Sequence, residues 1–135
     1  MKAELAEVEY SALTTDLWSS RTTQGYITVT CHFISSDWKL SSIVLDTLPV
    51  DGAHTAENLA AELMSVASEW GITDKIVCLV TDNASNIVAA VRLNGWKHMP
   101  CFAHTLNLVV QDSIKADSQL SEIQKKCHDI VSYFH

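Results

Sequence analysis

Two aspartates stand where strand-like segments meet polar turns. Asp82 follows the apolar run Ile76-Val77-Cys78-Leu79-Val80-Thr81 and precedes Asn83-Ala84-Ser85-Asn86, while Asp16 lies within Leu13-Thr14-Thr15-Asp16-Leu17-Trp18. A carboxylate in a buried strand, or at its mouth, is costly unless it is hydrogen-bonded, paired or bound to a cation. Two such groups held close together suit Mg²⁺ or Mn²⁺, which prefer oxygen ligands. Metals so held can activate water and stabilise a leaving 3′ oxygen in phosphodiester cleavage. The same spacing also fits plain turn chemistry, with Asp82 capping the helix that follows and Asp16 ending its strand at a turn.

A second cluster is Cys101-Phe102-Ala103-His104. A Cys and a His three apart can share a metal, and Cys127-His128 would complete four ligands. An adjacent pair does not chelate as C-x₂₋₄-C does, and Cys127 falls on the apolar stripe of its segment. The simpler reading is a buried thiol beside a histidine that hydrogen-bonds the active region. Of the four tryptophans, Trp70 belongs to an apolar helix face and Trp18 is placed to pack against the site. Trp38 and Trp96 sit in or beside turns; aromatics can stack on bases, but core or rim packing is expected. Ser85 and His104 lack a G-x-S-x-G elbow, and there is neither a Walker loop nor a G-x-G-x-x-G.

Residues 1–9 read as a short helical or linker lead-in. Strands are predicted from Tyr10 to Trp18, Tyr26 to Ile34 and Leu40 to Leu48, with turns at Ser19–Gly25, Ser35-Ser36-Asp37 and Pro49 to Gly52. In the second strand Ile27, Val29, Cys31 and Phe33 share one face and Thr28, Thr30 and His32 the other. Such short links imply an antiparallel meander. The period then changes: Ala56, Leu59, Ala60, Leu63, Val66, Ala67 and Trp70 recur at three and four. Thr55 suits the cap of this helix and Gly71 the position past its end. Lys75 to Thr81, apolar on both faces, reads as a central parallel strand. A short helix at Ser85–Leu93, a brief strand at His98–Phe102 and helices at Ala103–Lys115 and Gln119–Phe134 complete the order β-β-β-α-β-α-β-α-α. The crossover helix brings the fourth strand beside the first, which lets Asp16 and Asp82 converge at one sheet edge.

At 135 residues and 47% hydrophobic content the chain suits one globular core. No apolar run approaches the ~20 residues that span a bilayer, and the start, Met-Lys-Ala-Glu-Leu-Ala-Glu, lacks the apolar centre of a secretion signal. A soluble intracellular protein is expected. The net charge of −7 argues against nucleic-acid binding by this segment's own surface. Cys31, Cys78, Cys101 and Cys127 show no C-x-x-C spacing, so free buried thiols are expected.

Three sequence words carry a resemblance. Leu13 to Ser20 followed by Tyr26 to Ile34 resembles the start of the catalytic domain of hAT-superfamily transposases. Val80-Thr81-Asp82-Asn83-Ala84-Ser85-Asn86 resembles that family's second acidic motif, and Pro100 to Leu108 its C-x-x-H motif. The likeness extends to BED-type zinc finger proteins, many of them domesticated transposases. It implies an α/β, ribonuclease-H-like mixed sheet flanked by helices and only a partial domain. Residues 10–115 would be the N-terminal part of the core, after a lead-in at 1–9. Residues 116–135 would lead towards a helical insertion. By this resemblance Asp16 and Asp82 are the first and second acids of a DDE triad and ancestral Mg²⁺ or Mn²⁺ ligands. Cys101 and His104 shape the site or help hold DNA. The third acid, a Glu, would lie beyond His135, and zinc would belong only to a BED finger outside the chain. The resemblance thus implies a nuclear protein that binds DNA and forms a homodimer or oligomer through a further C-terminal region, with no membrane partner, while the isolated chain is inactive. The alternatives are a domesticated, non-catalytic scaffold in a transcription regulator, and a small zinc-binding interaction module.

Overall fold

The computed structural model describes residues 2–19, 24–50 and 54–134. Residues 20–23 of the turn expected at Ser19–Gly25, and Asp51-Gly52 of the one expected at Pro49 to Gly52, lie outside the described residues. The chain divides into two compact units, Met1–Cys101 and Phe102–His135.

The first unit begins with α1 (Lys2–Glu7), which sends Leu5 into the core. Lys75 Nζ donates to the carbonyls of Leu5 and Ala6 at 2.9 and 2.8 Å. A cation on the last carbonyls of a helix satisfies acceptors that have no partner within it. The meander follows as β1 (Ser11–Ser19), β2 (Gly25–Ile34) and β3 (Leu40–Pro49), all antiparallel. In β2 the alternation is complete: Ile27, Val29, Cys31 and Phe33 are each at most 3% exposed. This period of two fixes which face meets the core.

After the meander come α2 (Ala56–Glu69), β4 (Ile76–Thr81), α3 (Ser85–Leu93) and β5 (His98–Pro100). The sheet order is β3-β2-β1-β4-β5, with β4 parallel to both β1 and β5. The expected placement of the fourth strand beside the first is therefore realised. Leu59, Leu63, Val66 and Ala67 of α2 and Ile87, Ala90 and Val91 of α3 join Leu13, Ile27, Val29 and Leu79 in one core.

Both helices end in the same way. The N–H of Gly71 reaches Ser68 O and that of Ile72 reaches Ala67 O, both at 3.0 Å; Gly95 and Trp96 reach Arg92 O and Val91 O at 3.0 and 3.1 Å. These are Schellman ends, which need a left-handed residue just past the helix. Gly71 sits at φ +65° and Gly95 at φ +72°. Nothing lies within 4 Å of a Cβ built at Gly71, so Gly71→Ala meets no clash and only a backbone penalty. The expected loss is about 1 kcal/mol, read from urea unfolding of the variant. Gly71→Asn should lose less, because Asn tolerates this region.

The second unit is a pair of helices, α4 (Phe102–Ala116) and α5 (Ser118–Tyr133). Asp117 breaks them and caps α5, accepting the N–H groups of Gln119 and Leu120 at 2.9 and 3.1 Å. Ser121 Oγ donates to Ile114 O at 3.0 Å across the break. The apolar stripe Leu120, Ile123, Cys127, Ile130, Val131 and Phe134 is present, but none of its residues is buried.

Two expectations about single residues need correction. Trp38 was expected to pack in the core or at its rim, yet it is 89% exposed and sits at φ +60°. The Ser35–Lys39 turn presents it outward: Trp38 N–H donates to Ser35 O, and Ser35 N–H to Lys39 O, both at 2.9 Å. No disulfide joins the described cysteines, and only Cys31 and Cys78 are buried, with Cys127 exposed. Burial pushes the Cys31 thiol up, with a Ser11 hydrogen bond opposing it in part. The thiolate is the reactive form, so at neutral pH iodoacetamide should modify Cys127 readily and Cys31 and Cys78 only after unfolding. Mass spectrometry of the alkylated peptides reads this order.

Candidate metal centre at the strand ends

β1 and β4 run parallel with Leu13 opposite Leu79 and Thr14 opposite Val80. Asp16 and Asp82 each lie two residues beyond that last rung, Asp16 still within β1 and paired with β2, Asp82 just past the end of β4. Strand alternation sets their side. Leu13, Thr15, Leu79 and Thr81 are buried on the helix-covered face, so Asp16, and Asp82 by continuation, belong to the opposite face. Asp16 is exposed and Asp82 half-buried. The chain leaves β1 towards β2 and leaves β4 towards β5, in opposite directions across the sheet. Such switch points, at the carboxyl ends of strands, are where open α/β sheets bind ligands.

The expectation that Asp82 caps α3 is not what the structure shows. The capping position is Ala84, and no side chain bonds there. Asp82 Oδ1 instead accepts the N–H of Ala84 at 3.2 Å, closing a turn ahead of the helix. Asn83 makes the turn possible at φ +73°, a conformation that Asn tolerates better than most residues. Among the described residues, the other Asp82 oxygen has no donor, and neither aspartate is paired with a Lys or Arg.

Asp16 faces Thr28 of β2 in register. Trp18 lies two residues further along β1. Its ring stacks on Tyr26 with centroids 4.7 Å apart, and its Nε1 donates to Thr28 Oγ1 at 3.1 Å. Thr28 Oγ1 in turn lies 3.1 Å from Thr47 Oγ1. A second polar rung crosses the same face, with Thr14 Oγ1 3.0 Å from His32 Nε2 and His32 Nδ1 2.8 Å from Ser42 Oγ. These rungs hold the strands that carry Asp16.

Cys101 closes the first unit, and its N–H donates to Thr81 O at 2.8 Å. This places Cys101 at the end of β5 next to the Asp82 turn. His104 lies in the first turn of α4, in the second unit. Among the described residues no group of three or more His, Cys, Asp or Glu side chains is arranged to hold a metal. Two carboxylates on one sheet face do fit Mg²⁺ or Mn²⁺, which bind through one or two carboxylates and keep several waters. Sequence reasoning passed over Thr81, His98 and Asn83, which shape the Asp82 turn. The signal available was a Thr immediately before the acid and an Asn immediately after it.

No helix is long and apolar enough to cross a membrane among the described residues. A family profile, the ZBED1 RNase-like domain, matches residues 14–99, which include both aspartates. The chain is 31% identical over 116 residues to a Zea mays protein named "Putative AC transposase", covering 75% of this chain and 14% of that protein. It is 28% identical over 118 residues to zinc finger BED domain-containing protein RICESLEEPER 2 of Oryza sativa, with 76% and 16% covered. Human zinc finger BED domain-containing protein 6 is 29% identical over 135 residues, with 86% and 14% covered. The chain thus spans roughly a seventh of the length of these curated relatives. With the mixed five-stranded sheet and the three motifs in order, these matches show that the chain belongs to the ZBED1 RNase-like domain family, the transposase-derived domain of hAT and BED zinc finger proteins.

Proposed function

We propose that this domain supplies two of the three carboxylates of a DDE transposase-type site, within a nuclear protein that binds DNA. The observation that carries the reading is the shared placement of Asp16 and Asp82. Asp16 within β1 and Asp82 just past β4 stand at the same distance beyond the last rung of the parallel ladder, on the side away from buried Leu13, Thr15, Leu79 and Thr81. Two carboxylates placed on one side of neighbouring strands suit a hard divalent cation that both could bind.

In this reading Asp16 and Asp82 hold Mg²⁺ or Mn²⁺. The bound ion would supply Lewis acidity towards a phosphodiester. The chain's own contribution is placement. The Ala84 N–H fixes one Asp82 oxygen and leaves the other for a ligand, and the Trp18–Thr28–Thr47 rung steadies the strand that carries Asp16. Cys101 and His104 are proposed to shape the site or to contact DNA. DNA is engaged by the full-length protein, since a net charge of −7 is unsuited to phosphate binding by this segment. Assembly into a homodimer or oligomer is assigned to regions outside the chain. The isolated chain, with two of three acids, is expected not to cleave DNA.

The acidic charge favours a second reading, a non-catalytic scaffold within a transcription regulator. Strand transfer by the full-length protein with Mg²⁺ or Mn²⁺ separates the two. Activity lost in Asp82→Asn supports the proposed site, equal activity in that variant overturns the role given to Asp82, and no activity in the parent supports the scaffold.

A further inference from the structure

Thr81 ends β4 and is 1% exposed. A buried hydroxyl needs partners, and this one has two: His98 Nε2 at 2.9 Å and the N–H of Asn83 at 3.3 Å. The Thr81 carbonyl accepts the Cys101 N–H at 2.8 Å. One residue thereby joins β5, through the His98 ring and the Cys101 backbone, to the turn that starts at Asp82. Thr81 lies on the helix-covered face and Asp82 on the other, so neither Thr81 nor His98 is placed as a ligand of the same ion. Their influence passes through the backbone. The Asp82 main chain is bracketed by Thr81, held by His98, and by Asn83, whose left-handed φ is secured by the Thr81 hydroxyl.

We propose that Thr81 and His98 form a positioning pair that sets the Asp82 carboxylate against Asp16. The proposal rests on the reading of those aspartates as metal ligands. The physical reason is local constraint. Asn takes positive φ more readily than most residues but has other conformations open to it, and here the hydroxyl and imidazole hold it in this one. Without it the Asp82–Asn83 turn can relax, and the carboxylate loses its fixed direction while the sheet stays intact.

Mn²⁺ titration of the chain, followed by paramagnetic broadening of amide signals, tests the pair together with hydrogen exchange at Asn83 and Ala84. Thr81→Val and His98→Leu should weaken Mn²⁺ binding about tenfold, the lower end of the effect of losing supports behind metal ligands. Thr81→Ser and His98→Gln, which keep a hydrogen-bonding group, should restore it to within about twofold. Exchange at Asn83 and Ala84 should quicken at least about tenfold in the two disruptive variants, while that of Leu63 in α2 stays unchanged. If Asp82→Asn abolishes binding but Thr81→Val and His98→Leu do not weaken it, the pair does not position the acid and the proposal is overturned. Faster exchange throughout, including Leu63, also overturns it, since the role is then general stability. If Mn²⁺ binding ignores Asp82→Asn, the metal reading fails. Exchange then still decides the pair: quickening confined to the turn upholds its hold on Asp82, and unchanged exchange removes it.

Discussion

Asp82→Asn is expected to weaken Mn²⁺ binding by at least about a hundredfold and to leave the thermal midpoint within about 3 °C of the parent. Losing a support behind a metal ligand costs 10- to 100-fold, so losing a ligand should cost no less. The stability side follows from the turn. Asp82 Oδ1 accepts the Ala84 N–H, and an Asn carbonyl oxygen can accept the same bond. Among the described residues Asp82 has no cationic partner to lose. Removing one of two like charges offsets any small loss, and a change within about 0.5 kcal/mol corresponds to a few degrees in a domain of this size. Calorimetric titration with Mn²⁺ and a thermal melt of both proteins read the two quantities separately. A variant that binds Mn²⁺ as the parent does would remove Asp82 from the site. A variant that melts far below the parent would make Asp82 a structural residue.

Leu79→Ala should have the opposite profile, a loss of about 2–5 kcal/mol that falls on the whole first unit. Leu79 is fully buried in β4, the strand between β1 and β5. Its side chain lies among Leu13, Ile27, Leu59, Leu63 and Ile87 in the core. Truncation removes transfer free energy and leaves a cavity that a close-packed sheet–helix interface cannot fully fill. Small domains carry about 5–15 kcal/mol of stability in total, so the midpoint should drop by about 10 °C or more. Urea unfolding measures the loss directly, and a change under about 1 kcal/mol would mean that the site collapses around the smaller side chain. Because both parallel ladders hang from β4, Mn²⁺ binding should weaken only in proportion to the unfolded fraction.

Much of the fold was legible because its signals are local. The alternation in Ile27, Val29, Cys31 and Phe33 can be satisfied only with one face buried. The 3.6-residue period from Ala56 to Trp70, with Thr55 before it and Gly71 after it, defines a helix with both ends specified. The short links between the first three strands left few arrangements other than a meander. The helix between the third strand and the fourth then returned the fourth beside the first. What misled was composition without partners. Trp38 and the α5 stripe look like core residues, but a hydrophobic side chain is buried only where enough surface closes over it, and neither is buried within its own unit.

Periodicity, caps and motif words are written in adjacent residues, so the order of the elements and the two acids could be read along the chain. How Asp82 is held could not. The cap reading and the metal reading share the same local residues. The cap reading is set aside by which N–H the carboxylate takes, while the β1–β4 register and His98 reaching Thr81 across the β4–β5 pair set where the acid stands. Those are contacts between distant parts of the chain. A linear pattern carries no information about them until the sheet brings the strands together.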